Sequence, residues 1–239
     1  MWQKRLRRTT RNPLQEVERK QSRGKIRGAV DFAVDGDIRF VSHLEMMRLF
    51  ARACARAGLP VRRTEGFNPR PRIMLPLPRP VGISSDAELV VIELTEPLGA
   101  ESLIDLLAPQ MPTGMEMLRA RMLDPLDRCV PRLVRYSVAT EGLDQAALAS
   151  TASGLLGSAS IRYDRYVHKA GRHIRVDLRP FIESIDVAGK QVRFSLHVTG
   201  EGSAKPAEIC EVLGIGKEVN HLIRRTEVVW QRSFRQEAR

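Results

Sequence analysis

The chain has 239 residues, 43% of them hydrophobic and 28% charged, enough to bury a core as one large domain or two smaller ones and too apolar for wholesale disorder. No apolar run approaches the roughly 20 residues that cross a bilayer, and the opening "MWQKRLRRTTRN" lacks a signal-peptide core, so a cytoplasmic protein with no membrane partner is expected. The formal charge of +11 is uneven: residues 1–30 hold ten Lys or Arg against two Glu, whereas the remainder hold 29 against 26.

Residues 1–25 are therefore expected to be a basic, disordered tail, either an arm for RNA phosphates or an acidic surface, or a solvated extension. After it, "IRGAVDFAV" reads as a strand, Asp35-Gly36-Asp37 as a tight turn, and "IRF" as a short strand. A helix follows. Ser42 is placed to cap it and Glu45, three residues on, to close a capping box. Leu44, Met47, Ala51 and Cys54 recur at helical spacing, and Gly58 with Pro60 supply the stop. Arg48, Arg52 and Arg56 form a basic stripe along one side.

The next segment, "RRTEGFNPRPRIMLPLPRPVG" at 62–82, carries five arginines, five prolines and two glycines. Gly66, Gly82 and Asn68 before Pro69 mark turns, while Pro69 and Pro71 deny ladder hydrogen bonds, so an edge or extended connection is expected. A strand at 87–95, a helix at 100–108 and a strand at 115–122 complete the order βαββαβ. Residues 125–131 read as a connector. Beyond it come a strand in "RLVRYSVATE", a weak helix in "GLDQAALASTASGLLG", and two hairpins, one turning at Lys169-Ala170-Gly171 and one at Ala188-Gly189-Lys190. A short helix opening at Pro206 and a last strand "LIRRTEVVW" end the pattern. The expected fold is α/β of the α+β type: two ferredoxin-like βαββαβ halves with mainly antiparallel sheets, at 26–124 and 132–231, with a tail at 232–239.

Three cysteines, Cys54, Cys129 and Cys210, lie too far apart for a cluster or paired metal spacing. No C-x-x-x-C-x-x-C exists to hold an iron–sulfur cluster. Asp35, Asp37, Glu65, Asp86, Glu88 and Glu93 form no metal or paired-carboxylate motif, with Glu88 and Glu93 expected on the solvent side of their strand. No cofactor and no metal are therefore expected.

Arg39-Phe40, Ser42-His43-Leu44, Ala57-Gly58-Leu59-Pro60, Gly66-Phe67-Asn68-Pro69, "PLPRPVGISSDAE", "IELTEPL" and, later, "RVDLRPFIESIDV" and "GSAKPAEICEVLG" together carry a resemblance. Over roughly residues 27–230 the chain resembles the radical-SAM-linked protein family, a domain of unknown function found alone or fused behind cobalamin-binding radical SAM modules. The resemblance implies an accessory or substrate-presenting role beside a separately encoded radical SAM protein, connected with RNA or ribosome-related modification. It implies no activity of its own. At Arg70 the family commonly has a histidine, so chemistry needing imidazole there is not expected, whereas a guanidinium keeps an anion contact.

The candidate catalytic residue is His43, in the first turn of the capped helix. Arg48, Arg52, Arg62, Arg63, Arg70, Arg72 and Arg79 are candidates for one basic groove with Asn68, and Phe67 for a platform on which a base stacks. Ser42, Glu45, Gly66, Pro69, Pro71 and Gly82 are assigned to shaping the helix start and the loop. The leading expectation is an accessory protein, not itself an enzyme, that binds RNA or a ribonucleoprotein for a radical SAM partner. A metal-independent RNA-processing enzyme using His43 and a pure protein-interaction module are the alternatives.

Overall fold

The computed structural model describes residues 24–125, 127–167 and 170–231. Within them, ten strands and four α-helices form one eight-stranded sheet, a separate two-stranded hairpin and the helices that cover them. The tail at 1–23, Lys169 of the expected turn and the tail at 232–239 lie outside the described residues.

In the first half, β1 (Ile26–Val34) lies antiparallel to β3 (Ser84–Leu94) and β4 (Met115–Leu123), and the two-residue β2 (Ile73–Met74) lies antiparallel to β3. The helices α1 (His43–Arg56) and α2 (Ala100–Leu107) cover one face. Val30, Phe32 and Val34 alternate along β1 toward these helices, and the Phe32 ring meets Phe50 of α1 edge-on at 5.0 Å. Gly28 has a packing reason: a Cβ there would stand 2.5 Å from Leu103 Cδ2, so α2 sits as close to β1 as a bare backbone permits.

The second half runs β5 (Pro131–Ala139), α3 (Gln145–Gly157), β8 (Ile182–Ala188), β9 (Gln191–His197), α4 (Pro206–Val212) and β10 (Ile223–Trp230). Its order β10-β5-β9-β8 repeats the first half's β4-β1-β3-β2, so the mixed α+β, mostly antiparallel class implied by the element order is the observed one. The insertion of β6 (Arg162–Val167) and β7 (Arg172–Asp177) reaches over α4, where Arg165 holds Glu208 through two hydrogen bonds of 2.6 and 2.7 Å and the Tyr163 hydroxyl donates to Glu211 at 2.9 Å.

Three features differ from the sequence reading. Residues Gly36–Phe40 form a 3₁₀ turn rather than a strand. The Asp35 side chain accepts from Gly36 N at 2.8 Å while its own N–H donates to Gly114 O at 2.8 Å, which closes the turn and leaves no room for a strand partner. Secondly, the halves share a sheet: β10 runs parallel to the start of β3, with Arg224 opposite Ser84 and Arg225 opposite Ser85. Thirdly, Glu88 is buried rather than solvent-facing. An extra residue in β3, between the pairs Phe32–Glu88 and Val34–Ser85, reverses the side-chain alternation and places Asp86 and Glu88 on opposite faces.

Consecutive residues of β10 then meet acids on opposite faces. Arg225, 1% exposed, donates to Glu88 Oε1 at 2.8 Å and to Pro78 O at 3.0 Å, with its guanidinium 5.9 Å from the Tyr136 ring. Arg224 donates to Asp86 Oδ1 and Asp35 Oδ2, each at 2.5 Å. Removing one partner of a buried pair strands the other charge, at a cost of about 3–5 kcal/mol. Glu88→Ala is therefore expected to lower the unfolding free energy from urea melts by that amount, and with it the midpoint, and Glu88→Leu combined with Arg225→Met to recover most of it. A Glu88→Ala protein of unchanged midpoint would show that Arg225 is not held by this carboxylate.

Candidate functional site

The "GFNPRP" segment folds as a hairpin on the outer edge of β3. Arg62 N donates to Glu93 O and Arg72 N to Arg62 O, each at 2.8 Å, while Glu93 N donates to Arg72 O at 3.0 Å. Farther out, Thr64 N donates to Arg70 O at 2.8 Å and Arg70 N to the Thr64 hydroxyl at 2.9 Å. Thr64 and Arg70 thus use their own donors where Pro69 and Pro71 have none. Gly66, at φ +118°, reverses the chain.

At the tip Phe67 is fully exposed, with a relative area of 106%. Folding leaves it entirely in water, where an aromatic side chain gains nothing for the core. Arg62, Arg63, Asn68, Arg70 and Arg72 are exposed around it. Among the described residues the side chains of Arg62, Arg63 and Arg70 make no ion pair or hydrogen bond. Arg72 lies 3.7 Å from Glu93 Oε2, and Lys25, at the root of β1, lies 3.8 Å from the other oxygen. Glu93 is thus a half-covered acid between two cations, not a solvent-facing one.

His43 stands elsewhere. It borders a cleft of about 10 Å³, lined also by Arg79, Glu88, Phe32, Met46 and Leu75, which has room for about one water molecule. Ser42 and Glu45 close the capping box as the spacing implied, with Glu45 N donating to Ser42 Oγ at 3.3 Å and Ser42 N to Glu45 Oε2 at 3.0 Å. The Ser42 hydroxyl, and then its N–H, hold the Glu45 carboxyl below the usual range. The far end of α1 meets the hairpin root, where Thr95 N donates to Pro60 O and Val61 bridges Leu94. The 14-residue helix therefore separates His43 from the hairpin by about 20 Å.

Of the arginines expected to line one groove, Arg79 does not join the exposed set. Arg79 is half-buried and clamps backbone instead, donating to Arg39 O at 2.7 Å and Ile83 O at 2.6 Å; burial lowers its affinity for the proton. Arg48 and Arg52 are exposed on the flank of α1 whose next member, Arg56, donates to Gln110 O at 2.7 Å beyond α2. No hydrogen bond or ion pair among the described residues joins Arg48 or Arg52 to the hairpin. Gly82, at φ +87°, donates its N–H to Arg39 O at 2.9 Å, and a Cβ there would meet the Phe40 ring at 3.6 Å. It shapes the end of the molecule that holds His43.

Burial pushes the thiols of Cys54 and Cys210 up to about 12, so both pack as small apolar groups. Among the described residues no group of three or more His, Cys, Asp or Glu could hold a metal ion, and no helix is long and apolar enough to cross a membrane.

Residues 27–207 match the family described as "Uncharacterized protein conserved in bacteria (DUF2344)". The chain belongs to that family. No curated protein matches it. Among solved structures, a chain of "Crystal Structure of a Cbf5-Nop10-Gar1 Complex" is similar at 11% identity and a TM-score of 0.42, over 86% of this chain and 48% of that one. This chain spans about half the length of the one it matches.

Sequence reading placed Asp35 in the turn that leads from β1 to α1 but missed its link to Arg224 of β10. Its carboxyl is lowered from 3.8 to about 2, first by the Arg224 hydrogen bond and then by the N–H of Gly36 and the Ser84 hydroxyl. A carboxyl depressed in the folded state adds stability above its unfolded pKa, and that stability is lost as pH falls through the folded one. The contribution is therefore complete above pH 3.8 and disappears toward about 2. Solvent screens the half-exposed pair, so the effect is small. Asp35→Asn is expected to flatten the acid limb of the stability profile in this window, measured by urea melts at stepped pH; an unchanged limb would remove Asp35 from the acid response.

Proposed function

We propose that this protein is an accessory RNA-binding protein that presents an RNA, free or within a ribonucleoprotein, to a separately encoded radical SAM enzyme. The observation that carries the RNA half is the hairpin tip, where a fully exposed Phe67 stands among Arg62, Arg63 and Arg70 that no acid of the described residues neutralises. An unpaired guanidinium takes phosphate through two parallel hydrogen bonds, and a bare ring offers both faces to an unstacked base. Stacking on such a ring contributes about 1–3 kcal/mol per base. The ladder of hydrogen bonds from Arg62 to Arg72 fixes these groups before binding, which lowers the ordering cost.

The radical SAM half rests on the family resemblance of the sequence. It fits a chain whose three cysteines are scattered and of which two are buried, since the cluster thiolates then come from the partner.

Binding of a labelled single-stranded RNA, followed by anisotropy at several salt concentrations, tests this. Arg63→Ala with Arg70→Ala is expected to weaken binding and to reduce the slope of log K against log salt by about 0.7 for each phosphate no longer neutralised. Phe67→Ala is expected to weaken binding by about tenfold with the slope unchanged. Equal affinity and slope in all three proteins would remove the hairpin as the binding element. Capture from the native host that recovers RNA without a radical SAM enzyme would remove the partner.

A further inference from the structure

The eight-stranded sheet has two ends, and they differ in charge. β8 closes one end with Glu183 and Asp186 and no cation along its length, so two copies brought together there would repel. β4 closes the other. It pairs with β1 on one side and, among the described residues, with no strand on the other, which leaves a nine-residue row of backbone donors and acceptors. No proline interrupts it, and Leu118 and Met122 stand 45% and 37% exposed along it. The exposed Glu116 side chain makes no ion pair among the described residues, while one carboxylate, Asp31, serves both Arg119 and Arg121. The edge therefore carries one acid and one cation in excess.

We propose that β4 pairs antiparallel with β4 of a second copy of this chain, so that one sheet runs through a two-fold dimer. The register follows from a bulge. Glu116 and Arg121 are five positions apart, a spacing that puts side chains of a regular strand on opposite faces. Leu118 is an extra residue between Met117, opposite Phe32, and Arg119, opposite Asp31, and it returns the two charges to one face. Glu116 lies opposite Ala33 and Arg121 opposite Ala29, on the face of Asp31. Met115, Met117, Ala120 and Met122 lie opposite Val34, Phe32, Val30 and Gly28, on the face that the helices cover. A two-fold axis at Leu118–Arg119 then sets Glu116 against Arg121 of the second copy, Met115 against its Met122 and Met117 against its Ala120, each twice. Opposite charges meet on one face and apolar side chains on the other. A bulge off centre would break such a ladder; on the axis it leaves 115–117 and 120–122 free to pair.

The test is the oligomeric state of the full chain, followed by sedimentation over a range of concentrations, with Glu116→Arg, Arg121→Glu and Met122→Glu. The unsubstituted chain is expected to dimerise. Glu116→Arg is expected to raise the dimer dissociation constant by about tenfold or more, because like charges then face each other at two symmetric positions. Arg121→Glu is expected to do the same. Mixed in equal amounts, the two variants are expected to pair with each other and recover the unsubstituted affinity, since each supplies the charge the other lacks. Should Arg121→Glu lose its fold beside Asp31, as a urea melt would show, Met122→Glu takes its place: a carboxylate set against Met115 is expected to weaken the dimer by about tenfold as well. A chain that stays monomeric at every concentration overturns the proposal. A dimer that Glu116→Arg and Met122→Glu leave unchanged overturns it too, because that dimer forms elsewhere. Folded charge variants that fail to recover on mixing overturn the antiparallel register.

Discussion

The contact between β10 and the start of β3 decides the shape of the whole molecule. Only two residue pairs are in register there, Arg224 with Ser84 and Arg225 with Ser85, too few backbone bonds to hold two halves by themselves. The charges complete the seam. Arg225 is taken out of water against Glu88 on the helix-covered face, and Arg224 bridges Asp86 and Asp35 on the other. A buried pair contributes little net stability compared with apolar packing, but it penalises every arrangement that parts the two groups. It therefore fixes how the second half sits on the first more than how tightly it is held.

The seam also explains the proline-rich segment. β3 has one outer edge and two claimants: β2 pairs with Ile92 and Val91 near one end, and β10 with Ser85 and Ser84 near the other. Between them residues 75–82 must leave the ladder, and prolines at 76, 78 and 80 suit a stretch whose N–H groups find no strand partner. Arginines replace the missing ladder. Arg225 holds Pro78 O, and Arg79 holds Arg39 O and Ile83 O. With that stretch pinned, the hairpin before it is anchored at its root and free only at its tip.

The order of elements, the capping box at Ser42 and Glu45 and the strand alternation were legible because each rests on residues close in sequence. The shared sheet was not. Its defining contacts join residues 137 and 138 positions apart, and nothing in "LIRRTEVVW" distinguishes a central strand from an edge. The burial of Glu88 was hidden for a second reason: β3 is buried on both faces from Glu88 to Ile92, so no alternation there marks a solvent side. Within the candidate site, Phe67, Asn68 and the arginines at 62, 63, 70 and 72 could be named from the loop itself, since turn chemistry and proline placement are local. That Arg79 turns inward, and that His43 lies a helix length away, required the tertiary path of residues 75–82.

The distribution of charge then follows from pairing rather than from composition. Many basic groups of the folded body have an acid or a carbonyl assigned to them: Arg119 and Arg121 on Asp31, Arg165 on Glu208, Arg224 on Asp35 and Asp86, and Arg27 on the carbonyls of Asp124 and Asp127. Such groups hold the fold and are already spent as receptors for phosphate, because a second anion would have to displace the first. In the hairpin, by contrast, Arg62, Arg63 and Arg70 make no ion pair among the described residues, and Arg72 has Glu93. That carboxylate is shared by Arg72 and Lys25. A net charge of +11 says little about where an anion would bind; cations without an acid among the described residues, set around a fixed and fully exposed ring, say a great deal more.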